Sequence, residues 1–190
     1  YNIDIIDEAI EANRKIKFDY NKYGLDKKLH RSVFHIVSPY QMILHNQRYF
    51  LMAHQEKWKH ITYYRLDRIT NIELLDEPAT DLRSIEGYQN GIDYRRFSSA
   101  LPYMFSDEPQ TIRFIIDSEW MIDQIVDWFG YDFSTDNKDG KLIVTVNASP
   151  YAMEYWAMQY LNYVEIISPS SLREQIITNL KNASSKYTKI

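Results

Sequence analysis

The sequence has no cysteine, only 5 glycines and 6 prolines in 190 residues, and no long apolar run. Without cysteine there are no disulfides, no thiolate nucleophile and no metal site built on sulfur. This fits a reducing compartment. With so few glycines, no Gly-rich phosphate loop is present, and no segment is low-complexity. No stretch approaches the roughly 18 apolar residues a membrane span needs, and no signal-peptide pattern opens the chain. A cytoplasmic protein with no membrane partner is expected. The chain opens at Tyr1, without Met, inside what reads as a helix, as expected of a segment of a longer protein.

What the chain has in quantity is aromatic residues: 16 Tyr, 8 Phe and 4 Trp. Such a surplus suits strand packing, and it also suits surfaces that stack on flat ligands. The formal charge of -4 argues against a surface coated in basic residues for duplex DNA. The charge is uneven, however. Residues 1–75 hold 12 Lys+Arg against 9 Asp+Glu, and the remainder hold 10 against 17. An anionic ligand is expected to prefer the first part.

Periodicity sets the organisation. Ile3, Ile5, Ile6, Ala9, Ile10 and Ala12 recur at helical spacing, which predicts a helix over Ile3–Ile16. From Lys15 to Tyr20 the pattern alternates as in a half-buried strand. Asn21–Lys28 reads as a hairpin loop, and His30–Ser38 as a second strand. Pro39 is expected to interrupt before a short strand over Tyr40–His45. Arg48–Ala53 reads as a strand buried on both faces, followed by strands at Ile61–Leu66 and Arg68–Leu74. Five or six short strands with tight connections predict a small closed or nearly closed barrel. Asp76–Pro109 reads as a linker with short helices, notably around Asp93–Leu101. From Gln110 the elements run strand, helix, two strands, helix, strand, then a further helix: a ferredoxin-like βαββαβ order with one helix appended.

No catalytic constellation stands out. His30, His35, His45, His54 and His60 all lie in the barrel segment, but without ligand spacing or neighbouring acids. The serines sit in no nucleophile elbow. The chain is expected not to be an enzyme, with no metal and no cofactor. A nuclease would need clustered acids that are missing.

The informative stretch contains Tyr40, Arg48-Tyr49-Phe50-Leu51, His54 and Tyr63-Tyr64-Arg65-Leu66-Asp67-Arg68-Ile69. Strand alternation would put Tyr64, Leu66 and Arg68 on one face, with Tyr63, Arg65 and Asp67 on the other. Guanidinium groups beside aromatics suit nucleotides or single-stranded nucleic acid, whose bases stack and whose phosphates accept from arginine. The alternative is an ordinary arginine–acid pair on a solvated strand end.

The Pro39-Tyr40 element, the Tyr49-Phe50-Leu51 run and Tyr64-Arg65-Leu66-Asp67-Arg68-Ile69 resemble the WYL domain of bacterial transcription regulators. Tyr49 and Phe50 stand in place of the eponymous Trp and Tyr. Trp156 and Val164-Glu165-Ile166-Ile167-Ser168-Pro169-Ser170-Ser171-Leu172-Arg173 resemble the WCX extension that often follows. The resemblance implies an α+β, mostly β chain: a connector helix over 1–14, a WYL domain with a small Sm-like β-barrel over 15–76, a linker over 77–109 and a ferredoxin-like WCX extension over 110–190. It implies an effector-sensing region that binds a nucleotide or single-stranded nucleic acid. A missing N-terminal helix-turn-helix domain would contact promoter DNA, and the WCX part implies a homodimer. Tyr40, Arg65 and Arg68 fall on the matched motifs, with Tyr20, Tyr49, His54 and Tyr64 as neighbours in the expected site. Some family members carry a further arginine where this chain has Thr62. The competing reading is a protein-interaction or oligomerisation module without a small effector.

Overall fold

Helix α1 (Asn2–Glu11) buries Ile6 and Ala9 on its apolar stripe in the computed structural model, which describes residues 2–45, 47–94, 104, 105 and 107–188. The helix stops at Glu11 rather than running on to Ile16. Asn13 turns the chain at a φ of 52°, a left-handed conformation that asparagine tolerates better than most residues. Arg14 already belongs to strand β1 (Arg14–Tyr23). Within β1 the alternating Ile16 and Phe18 are fully buried, and that burial decides the element against a longer helix.

Strand β2 (Leu29–His45) passes through Pro39 without a break, contrary to the expected interruption. It pairs with β1 over its first half and with β3 (Arg48–His54) over its second. The β2–β3 register shifts between Pro39 and Gln41. A bulge is where a paired strand can accept a residue without an N–H. β3 is buried from Leu51 to His54 only; Arg48 and Tyr49 are exposed, so full two-sided burial holds for its second half alone.

Strand β4 (Ile61–Arg65) and strand β5 (Ile69–Pro78) are separated by a 3-10 turn, Leu66–Arg68. The expected alternation across Tyr64–Arg68 therefore ends at Arg65. The five strands form one sheet in the order β4-β3-β2-β1-β5, every neighbouring pair antiparallel. β4 and β5 are its edges, with no pairing between them among the described residues. Ile6, Phe18, Val37, Leu51, Tyr64 and Ile69 are central to its core. These elements make up the first of two compact units, Tyr1–Ile92 and Asp93–Ile190.

The second unit follows the expected element order: β6 (Gln110–Ile116), α2 (Met121–Phe129), β7 (Phe133–Lys138), β8 (Lys141–Ala148), α3 (Pro150–Gln159), β9 (Val164–Ser168) and α4 (Ser170–Tyr187). Its sheet runs β7-β8-β6-β9, antiparallel throughout. Ile112, Phe114 and Ile116 alternate into the core, where they meet the apolar stripes of the helices around Trp156. Asp139 and Gly140 form the β7–β8 turn with φ of 54° and 76°, the two-residue connection a right-twisted hairpin favours. Ser149 caps α3 by accepting from the Ala152 N–H at 2.9 Å, with Pro150 in the first turn. That first turn has no N–H partner to lose, so proline fits there. The helix expected around Asp93–Leu101 lies outside the described residues apart from Asp93 and Tyr94. No helix among the described residues is long and apolar enough to cross a membrane.

Candidate functional site

An aromatic cluster lines the first unit where β1, β2 and β4 face one another. Tyr64 lies 5.2 Å from Phe18, 5.2 Å from Tyr20 and 5.0 Å from His35, each edge-on, the geometry in which ring quadrupoles attract. Burial pushes the Tyr64 phenol up to about 12, so the hydroxyl stays protonated at neutral pH. Gln55 Nε2 lies 3.0 Å from His35 Nδ1. Because the amide nitrogen donates, Nδ1 accepts and the neutral imidazole carries its proton on Nε2.

Burial lowers the His35 pKa below its ordinary 6.5, Lys57 adds to the shift and the Gln55 contact opposes it. The folded ring thus stays neutral where the unfolded one protonates. Its contribution to stability is present at neutral pH and is lost as pH falls through the unfolded value toward the folded one. A proton-coupled NMR titration is expected to give His35 a midpoint below 6.5. A midpoint at or above that value would contradict the buried-ring account.

The charged part of the site begins where this wall ends. The Arg65 N–H donates to the Tyr20 hydroxyl at 3.2 Å, fixing the start of the 3-10 turn. The turn brings Asp67 back toward Arg65. Arg65 Nε and Nη2 donate to the two Asp67 oxygens at 3.0 and 2.6 Å, a two-pronged charge-assisted pair. Arg48 Nη1 lies 3.5 Å from the same carboxylate. Arg65 above all, then the charges of Arg48 and Arg68, hold the Asp67 carboxyl below the usual carboxylate range. Two guanidinium groups thus contact one carboxylate, and the charge of a third acts on it.

Arg68 is the least satisfied of them. Its guanidinium lies 5.8 Å from the centre of the Tyr23 ring, within cation–π range. Its Nε is buried without a hydrogen-bond partner among the described residues. Its backbone, by contrast, is anchored: buried Asn21 donates to the Arg68 carbonyl at 2.8 Å and to Thr70 Oγ1 at 2.9 Å. Beside the turn, Asn2, Ile3, Gln47, Arg48, Tyr49, Leu66 and Asp67 line a cleft of about 600 Å³.

The structure brings Tyr20, Tyr64, Arg65 and Arg68 into one neighbourhood and sets Tyr49 on the adjoining cleft. Tyr40 and His54 share no hydrogen bond, ion pair or ring contact with the arginines among the described residues. The Tyr40 hydroxyl donates to the Thr80 carbonyl at 2.8 Å, and burial pushes its phenol up to about 12. His54 Nε2 meets the Trp58 carbonyl at 2.8 Å, and its Nδ1 is buried without a partner among the described residues. Both side chains hold the chain in place. Thr62 lies opposite Ala53 in the β3–β4 register.

Two residues outside the expected site set, Arg48 and Tyr23, stand beside Asp67 and Arg68. Arg48 directly precedes the aromatic run and is legible there as a cation. Tyr23 is not, because β1 continues three residues past Tyr20 only after a register shift between Tyr20 and Asn21. Among the described residues no group of three or more His, Asp or Glu side chains is placed to hold a metal ion.

Residues 1–74 match the WYL domain family and residues 107–184 match the WCX domain family. Among solved structures, the chain is similar to the proteasome accessory factor B/C (PafBC) of Arthrobacter aurescens, at 17% identity and a TM-score of 0.40, covering 98% of this chain and 27% of that one. It is also similar to a CRISPR Cas-related protein, at 15% identity and a TM-score of 0.57, covering 99% of this chain and 52% of that one. The second likeness is one of fold alone. This chain spans only about a quarter and about half of those two chains. No curated protein matches it. With the motif Tyr64–Ile69 running from β4 through the 3-10 turn into β5 and both family matches in order along the sequence, the chain belongs to the WYL-domain family in the form that carries a WCX domain.

Proposed function

We propose that this chain is the effector-sensing region of a transcription regulator, and that the effector is a nucleotide or single-stranded nucleic acid. The observation that carries the reading is the cluster of Arg48, Arg65 and Arg68 around a single carboxylate, Asp67, beside the Tyr23 ring. Three cations against one anion leave a net positive spot. Exposed Tyr23 and Tyr49 next to it suit base stacking, which is worth about 1–3 kcal/mol per base and tolerates any sequence. In this reading Arg68, Arg65, Tyr20, Tyr49 and Tyr64 form or wall the site. Tyr40 and His54 support it from outside.

The five-stranded sheet works as an Sm-like barrel over 15–76, the segment 77–109, whose first two residues end β5, serves as the linker, and 110–190 is a ferredoxin-like extension that makes homodimer contacts. Helix α1 lies within the connector, 1–14, leading from an N-terminal domain that reads promoter DNA in the cytoplasm. The site and α1 are physically joined. Asn2 Nδ2 donates to the Ile69 carbonyl at 2.8 Å, just past the turn that carries Arg68, and Asn2 lines one cleft with Leu66 and Asp67 of that turn. An effector that binds one arrangement of this turn better than another shifts the population toward it. The chain performs no catalysis in this account.

The Arg65–Asp67 pair favours the competing interaction-module reading in part, because it neutralises one of the two arginines expected to bind phosphate. Arg68 acts on Asp67 only through its charge, and its Nε has no hydrogen-bond partner among the described residues. The test is anisotropy titration of the chain with short labelled single-stranded DNA and RNA across salt concentrations, with free nucleotides as competitors. Saturable binding that weakens as salt rises is expected, since released counterions mark phosphate contacts. A flat response to every strand and nucleotide would remove the sensor reading and leave the interaction module.

A further inference from the structure

Resting on that reading, we propose that Asp67 is a resident competitor for the effector's phosphate, so that the site selects a terminal phosphate monoester over a phosphodiester backbone, with Arg48 as its third cation. Asp67 accepts both prongs of Arg65 and lies 3.5 Å from Arg48 Nη1. It stands where an external anion would have to stand to meet the same groups. The side chain is 40% exposed, so it can swing out into solvent without burying a charge. Its geometry is local, set by a three-residue turn, and no strand pairing has to break to release it.

Charge decides what can displace it. A diester phosphate carries a single negative charge, so exchanging it for the carboxylate replaces like with like and pays for the lost fork. A monoester carries about -1.5 to -2 at neutral pH and offers three strong acceptor oxygens. It can take the Arg65 fork, accept from Arg48 and still place a charge in the field of Arg68, which already acts on Asp67. The adjoining cleft of about 600 Å³ with Tyr49 on its wall is large enough for the sugar and base behind that phosphate. Asp67 thereby sets a threshold that monoanions do not clear. Because the monoester's second ionisation lies near pH 6, selectivity is expected to fade below that pH as the ligand loses its extra charge.

The same chemistry is carried by a free nucleoside monophosphate and by the phosphorylated end of a strand. The experiment compares one labelled oligonucleotide with and without a 5′-phosphate, with adenosine monophosphate as competitor, on the wild-type chain and on Asp67→Asn and Arg48→Gln. The phosphorylated strand is expected to bind wild type about tenfold more tightly, the scale of one charge-assisted hydrogen bond. Asp67→Asn is expected to tighten both strands and to shrink the difference between them. Arg48→Gln, on an exposed side chain, is expected to shrink it by weakening the phosphorylated strand alone. Competition by the monophosphate at concentrations similar to the strand end assigns the site to free nucleotide; its failure to compete assigns it to a strand end. Equal binding of the two strands by wild type, or an unchanged ratio in Asp67→Asn, overturns the proposal while leaving the sensor reading in place. No binding by wild type or either variant overturns both.

Discussion

Arg68→Ala is expected to lower affinity for single-stranded nucleic acid roughly ten- to hundredfold while leaving thermal stability unchanged or slightly higher. The two effects have one origin. Arg68 holds a buried Nε without a partner among the described residues, and an unmet buried donor costs a fold about 1–3 kcal/mol. Truncation removes that cost along with one cation–π contact to Tyr23, worth about 0.5–1 kcal/mol at an exposed ring. The Asn21 hydrogen bond to the Arg68 carbonyl is made by the backbone and survives the change. Loss of one phosphate contact also lowers the salt slope of binding by about 0.7 for a single strand. Parallel anisotropy and thermal-melting series check both halves. A variant that binds as wild type, or one that melts markedly earlier, would show that Arg68 serves packing.

Trp156→Ala is expected to cost the second unit about 3–5 kcal/mol, as for other large buried aromatics. Trp156 is fully buried and its ring sits 5.3 Å from Phe114, 5.1 Å from Phe129 and 5.1 Å from Tyr160, so the gap cannot close by movement of one neighbour. Its indole Nε1 has no hydrogen-bond partner among the described residues. Trp156→Phe, which keeps a ring and deletes that orphaned donor, is therefore expected to cost far less than the alanine change. Denaturant melts followed by circular dichroism separate the two variants. Equal losses in both would mean that the indole N–H is satisfied in solution and contributes to stability.

Much of the fold was legible because it is written in periodicity. Ile16 and Phe18 alternate into one core, and Ile112, Phe114 and Ile116 into the other. Gly140 marks its hairpin and Ser149-Pro150 its helix start. Two boundaries were not legible. Asn13 ends α1 by a backbone conformation that leaves no trace in apolar spacing. Pro39 reads as a break in isolation, yet the bulge beside it lets β2 continue. The site divided in the same way. Residue types in Tyr64-Arg65-Leu66-Asp67-Arg68-Ile69 pointed to phosphate and stacking. Which arginine is occupied depended on a 3-10 turn that period-two counting could not foresee. Tyr40 matched a family motif, yet its hydroxyl is given to the Thr80 carbonyl. Tyr23 reached Arg68 through a register shift that only the paired strands show.

The measurement that bears most directly on the sensor reading is amide chemical-shift mapping of the isotopically labelled chain as a short single strand is added. The account predicts shifts that saturate together and centre on Tyr20, Tyr23, Arg48, Tyr49 and the Arg65–Ile69 turn, with a smaller response at Asn2 through its bond to Ile69. Shifts confined to residues 110–188, or none anywhere, would contradict it.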